Sequence, residues 1–345
     1  VNLRLTEEQQ ALRETFAALF AKQCPPDVVR AAEPLGHDAA LWARMADVGL
    51  LHIGVPEDLG GAGAGLFELV LVAEEAGRRL VPVPLAETVA ATRLLVACGA
   101  HDLLRRALEG TRLVSLAPAP GPLATQVLAD GAVADAVLGL VDGRLVAVSR
   151  PADVRAISNM GSLPLARWSD TADAEVLAEG PGVAQAFSRA LCEVRVLRAV
   201  ALVGLAAEAI ELGAAYARER SAFGIPIGSY QAVAHPLADA LVAKDGAQLL
   251  TWKASWALDS DHGDAPVLAR QSFIFAAEVA SHAAQHSLHI HGGYGFTQEC
   301  DIQLYYRRAQ AWAAVVADPG RELLALADGI LLQEAMEPEG VARGL

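Results

Sequence analysis

Lysine is almost missing from this chain. Only Lys22, Lys244 and Lys253 occur in 345 residues, and no basic run is present. With a net charge of −14, nothing here would neutralise a phosphate backbone, which excludes a general nucleic-acid binder. Aromatic residues are scarce too, at 5% against 53% hydrophobic, so the core is built from Ala, Leu and Val, which suits closely packed helices. Cysteine occurs only at Cys24, Cys98, Cys192 and Cys300, with no Cys-x-x-Cys pair. These read as reduced thiols of a cytoplasmic protein. No charged n-region followed by an apolar h-region marks a secretory signal. Apolar stretches such as Ala199 to Ile210 are too short and too rich in alanine for a membrane span.

What is present falls into three textures. Residues 1–112 read as helical: Thr6 and Gln9 stand in capping-box spacing at the head of an amphipathic run. A second helix runs over "DAALWARMADVGLL", and "LFELVLVAEEAGRRL" and "LAETVAATRLLVACG" continue the period after a loop, "GVPEDLGGAGAG", that Pro56 and its glycines keep from being helix. Residues 113–181 change to short β-compatible runs ("RLVSLAPAP", "AVLGLV", "GRLVAVS", "VRAISNM", "AEVLAEG") separated by Gly, Pro and Asp. Residues 182–345 return to long helices, expected over 185–219, 229–258 and 266–290, with a fourth after Gly295 and a short one after Pro319.

Three groups of residues could carry chemistry. His282, His286 and His289 share one helical stripe with Glu278. Such a stripe could supply metal ligands, but no other helix offers a matching Glu-x-x-His, and no metal site is expected. In "RERSAFGIPIGSYQAVAHPLADA" a long helix ends in Arg218 and Arg220, breaks at Gly224, Pro226 and Gly228, and a new helix begins near Gln231. Arginine and a fresh helix N-terminus suit an anion; C-terminal arginines complementing a helix dipole at a plain corner would look the same. Gly292, Gly293 and Gly295 could admit a ligand close to the backbone, or simply end a helix.

Taken together, "RSAFGIPIGSYQ", "HIHGGYGFTQECDIQLYYRRA" and "GVPEDLGGAG" resemble the acyl-CoA dehydrogenases over nearly the whole chain. The resemblance implies a mainly α fold with a small β-domain: an N-terminal helical domain, a reduced β-barrel and a C-terminal four-helix bundle. It implies FAD as cofactor and oxidation of an acyl-CoA at its α and β carbons, a glutamate taking the α-proton. Matched residue by residue, Arg220 and Phe223 correspond to the family's flavin-contacting arginine and phenylalanine, Gln231 to its glutamine, and Gly292 and Gly293 to its paired glycines at the adenosine end. His289 stands where many members have glutamine.

What the family has and this chain lacks is as informative. Ungapped counting puts Val316 and Val194 at the family's two alternative positions for the catalytic glutamate, and valine cannot abstract a proton. Glu193 and Asp318 lie one and two residues away and are the candidates for a displaced base. Ala117 and Pro118 fall where members carry polar flavin contacts, and no tryptophan occurs between Trp42 and Trp168. In this family one subunit's β-domain holds the flavin ring while a neighbour holds pyrophosphate and adenosine. The elements that act on a neighbour's flavin are kept, and those that act on the chain's own are lost. The resemblance therefore implies a companion subunit of an α2β2 enzyme, with no catalytic residue of its own. A partner acyl-CoA dehydrogenase subunit would supply the glutamate. The substrate would be an acyl-CoA, such as the ester of a sterol side chain, and an electron-transfer flavoprotein or similar acceptor would take the electrons. A self-sufficient dehydrogenase using Glu193 or Asp318, and a flavin-free scaffold of the same fold, are the alternatives.

Overall fold

The structure is a computed structural model that describes residues 3–33, 35–168, 174–316 and 318–336, without the side chains of residues 316 and 330–336. Its N-terminal third is six helices: α1 (Glu7–Gln23), α2 (Pro26–Ala32), α3 (Ala39–Asp47), α4 (Leu66–Arg78), α5 (Leu85–Ala97) and α6 (His101–Leu108). The capping box at the head of α1 is formed: Gln9 N–H donates to Thr6 Oγ1 at 3.2 Å and Thr6 N–H to Gln9 Oε1 at 3.0 Å. Asp38 caps α3 through the N–H groups of Ala40 and Leu41. Helix α2 carries no strong periodic signal in sequence, whereas α6 does: Leu103, Leu104, Ala107 and Leu108 share its buried face. Pro26 at the first position of α2 is preorganised for a helix start.

The middle of the chain is a four-stranded sheet in the order β1 (Val114–Leu116), β2 (Ala136–Val141), β3 (Arg144–Ser149) and β4 (Ala174–Ala178). Strands β1 and β2 are parallel; β2–β3 and β3–β4 are antiparallel. Asp142 and Gly143, at φ 49° and 76°, close the tight β2–β3 hairpin. The strand expected over "VRAISNM" does not form. Asn159 there donates to the carbonyls of Ile157 (3.0 Å) and Leu163 (2.7 Å) and accepts from Leu163 N–H (2.9 Å), so a side-chain-closed turn takes the backbone groups a ladder would need. Only Ala156 makes a bridge, to Ala166.

The rest is a bundle of α7 (Val183–Glu219), α8 (Gln231–Asp259), α9 (Ala265–His291) and α10 (Ile302–Val316), followed by α11 (Pro319–Met336). Short corners make α7–α8 and α8–α9 antiparallel. Hence α7 and α9 run parallel, and Gly213 faces Ser287 just as Tyr216 faces His291.

Helix α7 is the axis. Helix α4 lies against it so closely that a Cβ on Gly204 would sit 1.9 Å from the Glu74 carbonyl oxygen, and one on Gly77 2.0 Å from that of Ala201. Charge holds the same seam. Arg198 of α7 forms two hydrogen bonds to Glu87 of α5, at 3.0 and 2.6 Å, and both residues are buried. Beside them Asp130, in the turn between β1 and β2, accepts from Ser115 Oγ at 2.9 Å. Burial first, then the Glu87 carboxylate, push Asp130 from an ordinary 3.8 up to about 7, against the pull of Arg198 and Ser115.

Two measurements follow from this packing. Gly204→Ala should lower stability by about 1–3 kcal/mol or more, because the obstructing atom is backbone, as thermal unfolding would show. Asp130 binds its proton more tightly folded than unfolded, so its contribution to stability declines as pH rises from about 4 to about 7. Asp130→Asn should flatten the fall of Tm across that window; an unchanged pH profile would contradict the assignment.

Candidate functional site

The sequence-selected residues lie at one end of the bundle. Helix α7 ends at Arg220, whose N–H still bonds the Tyr216 carbonyl. The chain then makes a minimal hairpin, Ser221–Ala222 against Ile225–Pro226. Its turn residues, Phe223 and Gly224, both have left-handed backbones, at φ 54° and 84°. Glycine adopts that conformation freely; phenylalanine does so at a cost of about 1–2 kcal/mol. The Phe223 side chain is also 98% exposed, so among the described residues it gains almost no packing in return. Tyr230 Oη donates to the Ala222 carbonyl at 3.1 Å and Ile227 N–H to that of Arg220 at 2.8 Å, fixing the hairpin to the start of α8, where Gln231 is the first residue.

The end of α9 meets the end of α7 through the ring of His291, stacked on Tyr216 with centroids 4.3 Å apart. His291 Nδ1 donates to the Ser287 carbonyl at 2.7 Å, which accounts for this histidine structurally. Beyond it Gly292 turns the chain at φ 60°. Gly293 is different: its φ is not left-handed, and a Cβ there would meet nothing within 4 Å. The fold does not need glycine at 293, and the missing side chain leaves open backbone. Arg220, Phe223, Gln231, His289, Gly292 and Gly293 are all exposed. His282 and His286 are exposed on α9 as well, and among the described residues no group of three or more metal-ligating side chains comes together.

The interior is the opposite. Val194 and Val315, the residue before Val316, line one void of about 20 Å³ with Leu116, Ala117, Pro118 and Leu191. The two stretches singled out for a missing glutamate thus meet in space, in a cavity with room for about one water. Val316 itself ends α10, and its side chain lies outside the described residues. The carboxylate at the rim of the void, Glu87, is committed to Arg198.

Glu193 points elsewhere. It lines a separate cleft of about 560 Å³ on another face of α7, with Gly54, Gly65 and Asp259. Its oxygens are held by Arg93 Nε at 2.9 Å and Arg189 Nε at 3.4 Å. Asp318 is exposed and accepts the Arg321 N–H at 3.0 Å, capping α11. Both neighbouring acids have structural partners. Sequence inspection missed the Arg93–Glu193 pair because the two are a hundred residues apart; Arg189, four residues before Glu193 on α7, and Arg321, three after Asp318, stand at spacings that local reading can find.

Two family models match: the N-terminal domain of acyl-CoA dehydrogenases over residues 6–111 and the C-terminal domain over residues 180–314. The chain belongs to the acyl-CoA dehydrogenase family. This is a family of FAD-dependent oxidoreductases. Acyl-CoA dehydrogenase IpdE2 of Mycobacterium tuberculosis is 33% identical over 323 residues, spanning 92% of this chain and 95% of IpdE2. Among solved structures, a chain of the Tcur3481-Tcur3483 steroid ACAD is similar at TM-score 0.84 and 25% identity, covering 95% of this chain and 99% of that one. The ChsE4-ChsE5 complex from Mycobacterium tuberculosis matches in fold at TM-score 0.85 and 24% identity, over 99% of this chain and 100% of that one. Among the described residues no helix is long and apolar enough to cross a membrane.

If Glu193 is structural, Glu193→Gln should leave turnover of the assembled enzyme unchanged while lowering stability by less than the ~3–5 kcal/mol of an unpaired buried charge, because Asp259 still lies 3.8 Å from Arg93 Nη2. Asp318→Asn should cost about 1 kcal/mol or less as a weakened cap and likewise spare turnover. Steady-state rates per bound flavin, beside thermal unfolding, check both; a loss of turnover from either would restore a base to this chain.

Proposed function

We propose that this chain is the companion subunit of a heteromeric, FAD-dependent acyl-CoA dehydrogenase. It completes a flavin site whose ring and catalytic glutamate are held by a partner subunit of the same family, in an α2β2 assembly. The observation that carries this is the contrast between the two ends of α7: a row of exposed ligand-type residues at one, and valine around a one-water void at the other. Phe223 is the sharpest detail: an aromatic on strained backbone and 98% exposed is what a surface outside the chain would cover.

The residues fit the cofactor. The planar fork of Arg220 suits a pyrophosphate oxygen pair. Gln231 stands at the N-terminus of a long helix, where unpaired N–H groups and the helix dipole favour an anion. Open backbone at Gly292 and Gly293 admits the flat adenosine end, and His289 beside it keeps one hydrogen-bond donor where other members use glutamine. Phe223 would be the residue to cover the flavin held by the partner. Bound FAD supplies the hydride acceptor for desaturation of an acyl-CoA. This chain's own part is to hold, orient and neutralise, because valines stand where the family's glutamate would be and the one carboxylate at the void, Glu87, is held by Arg198. The similarity to a steroid ACAD supports a bulky substrate of the sterol-side-chain type. Electrons would leave through an electron-transfer flavoprotein or a similar acceptor. The reading places the chain in the cytoplasm, with its cysteines free as the structure has them, and divides it into domains at 1–112, 113–181 and 182–345.

Expressed alone, the chain should be colourless; co-purified with its partner it should be yellow. Arg220→Met in the complex should weaken FAD binding roughly ten- to a hundredfold, the equivalent of about 1.5–3 kcal/mol for a charged hydrogen bond, read from flavin absorbance after dialysis. A yellow, active assembly of this chain alone would overturn the proposal, and a colourless complex would leave only the scaffold reading.

A further inference from the structure

Three parts of the chain meet around a small pocket of about 40 Å³. The N-terminal helical region contributes Gly36 and residues 80–84, and the turn closed by Asn159 contributes residues 161–164. The bundle contributes Arg198 of α7 with Arg308 and Trp312 of α10. Backbone sets the walls at close range. A Cβ on Gly36 would lie 1.6 Å from the Ser162 carbonyl oxygen, and one on Gly161 2.2 Å from the Cβ of Ala311. The space is therefore preformed, with room for about two or three waters or one small ion.

Arg308 is the unusual member. It is 3% exposed, yet its hydrogen bonds all leave from one nitrogen: Nη1 donates to Glu33 Oε1 at 3.2 Å and to the Leu304 carbonyl at 3.4 Å. Among the described residues no acceptor meets its Nε or Nη2. Glu33 is not its own either. The same Oε1 accepts from Arg307 Nη2, so one carboxylate serves two guanidinium groups. Burial holds the Arg308 guanidinium below the usual arginine range, and the pull of Glu33 does not offset it. A buried cation with donors to spare is costly unless something pairs with it.

The rest of the lining does not supply that partner. Arg198 takes both oxygens of Glu87. The carbonyls of Val81, Pro82, Leu163 and Pro164 already accept the N–H groups of Val83, Asp38, Leu165 and Ala132. Asp130, on the Arg198 side, accepts from Ser115 Oγ. Burial raises its carboxyl to about 7, so at and below neutral pH much of it carries no charge to repel an anion. The pocket is rich in donors and poor in free acceptors.

We infer that this pocket binds a small monovalent inorganic anion of the halide class, held by Arg308 where the three parts of the chain meet. The ion supplies the counter-charge that Glu33 has to divide between two arginines. Because its walls belong to the N-terminal region, the Asn159 turn and the bundle, the ion acts as an internal tie between them. The site needs neither FAD nor a partner subunit, so it can fail while the proposed function stands, and the reverse.

The test uses the chain in the complex with which it purifies, with bromide as the probe. Crystals grown in sodium bromide should show an anomalous peak within hydrogen-bond reach of Arg308 Nε or Nη2, and Arg308→Gln should lose it. In solution, millimolar bromide replacing gluconate at constant ionic strength should raise the Tm of the wild type by about 2–4 °C and then saturate. Arg308→Gln should lose most of that rise. Water alone beside Arg308 in wild-type crystals, or bromide only on surface residues, overturns the inference. So does an equal bromide-dependent rise in wild type and variant. Should Arg308→Gln fail to fold, the wild-type anomalous map decides by itself.

Discussion

A buried guanidinium sets the plan of this molecule. Arg198 sits on the central helix away from water, where an uncompensated charge would be worth several kcal/mol against folding. Glu87 answers it from the N-terminal helices, and Asp130 stands beside the pair from the sheet. Three stretches far apart in sequence are thereby bound to one point on α7. The glycines at 77 and 204 let backbones approach there without side chains between them. Once α4, α5 and the first β-turn are drawn in this tightly, little space is left between the sheet and α7. The narrow void lined by Val194 follows from that geometry as much as from the valines themselves.

The same helix serves different ends along its length. Its first half is clamped by charge pairs to other elements: Glu193 takes Arg93 of α5, while Arg195 reaches Glu322 of α11. Its last turns carry Tyr216, which stacks on His291 and seats the ends of α7 and α9 side by side. Charge organises the closed half and ring stacking the open one. This separation lets the open end be specialised without disturbing the interior.

Much of the plan was readable from residue order because it rests on local signals. The capping box at Thr6, the proline and glycine breaks after Arg220, and the glycines after His291 each act within a few residues, and the helices start and stop within a few residues of where these signals place them. Helix α2 was missed because seven residues give too few turns for a period to show; α6 was missed although Leu103, Leu104, Ala107 and Leu108 do fall on one helical face. The strand expected over "VRAISNM" was lost to a side chain, Asn159, competing for the backbone. Around the candidate site, the exposed residues come from motifs and could be named in advance. Arg93 as a partner of Glu193, and Arg195 and Arg270 as partners of Glu322, could not, since each of these pairings joins residues whose proximity only the folded chain creates.

The short hairpin that carries Phe223 has one more consequence. It is anchored by hydrogen bonds from Tyr230 and Ile227 within ten residues of chain, and its neighbours are the ends of helices that pack on one another. That surface is therefore finished as soon as the bundle folds. In the proposed assembly it would serve as a rigid template rather than a segment that orders on contact, so docking would forfeit little chain entropy there. Order of assembly follows from this: the helical bundle first, the encounter second, with shape already decided.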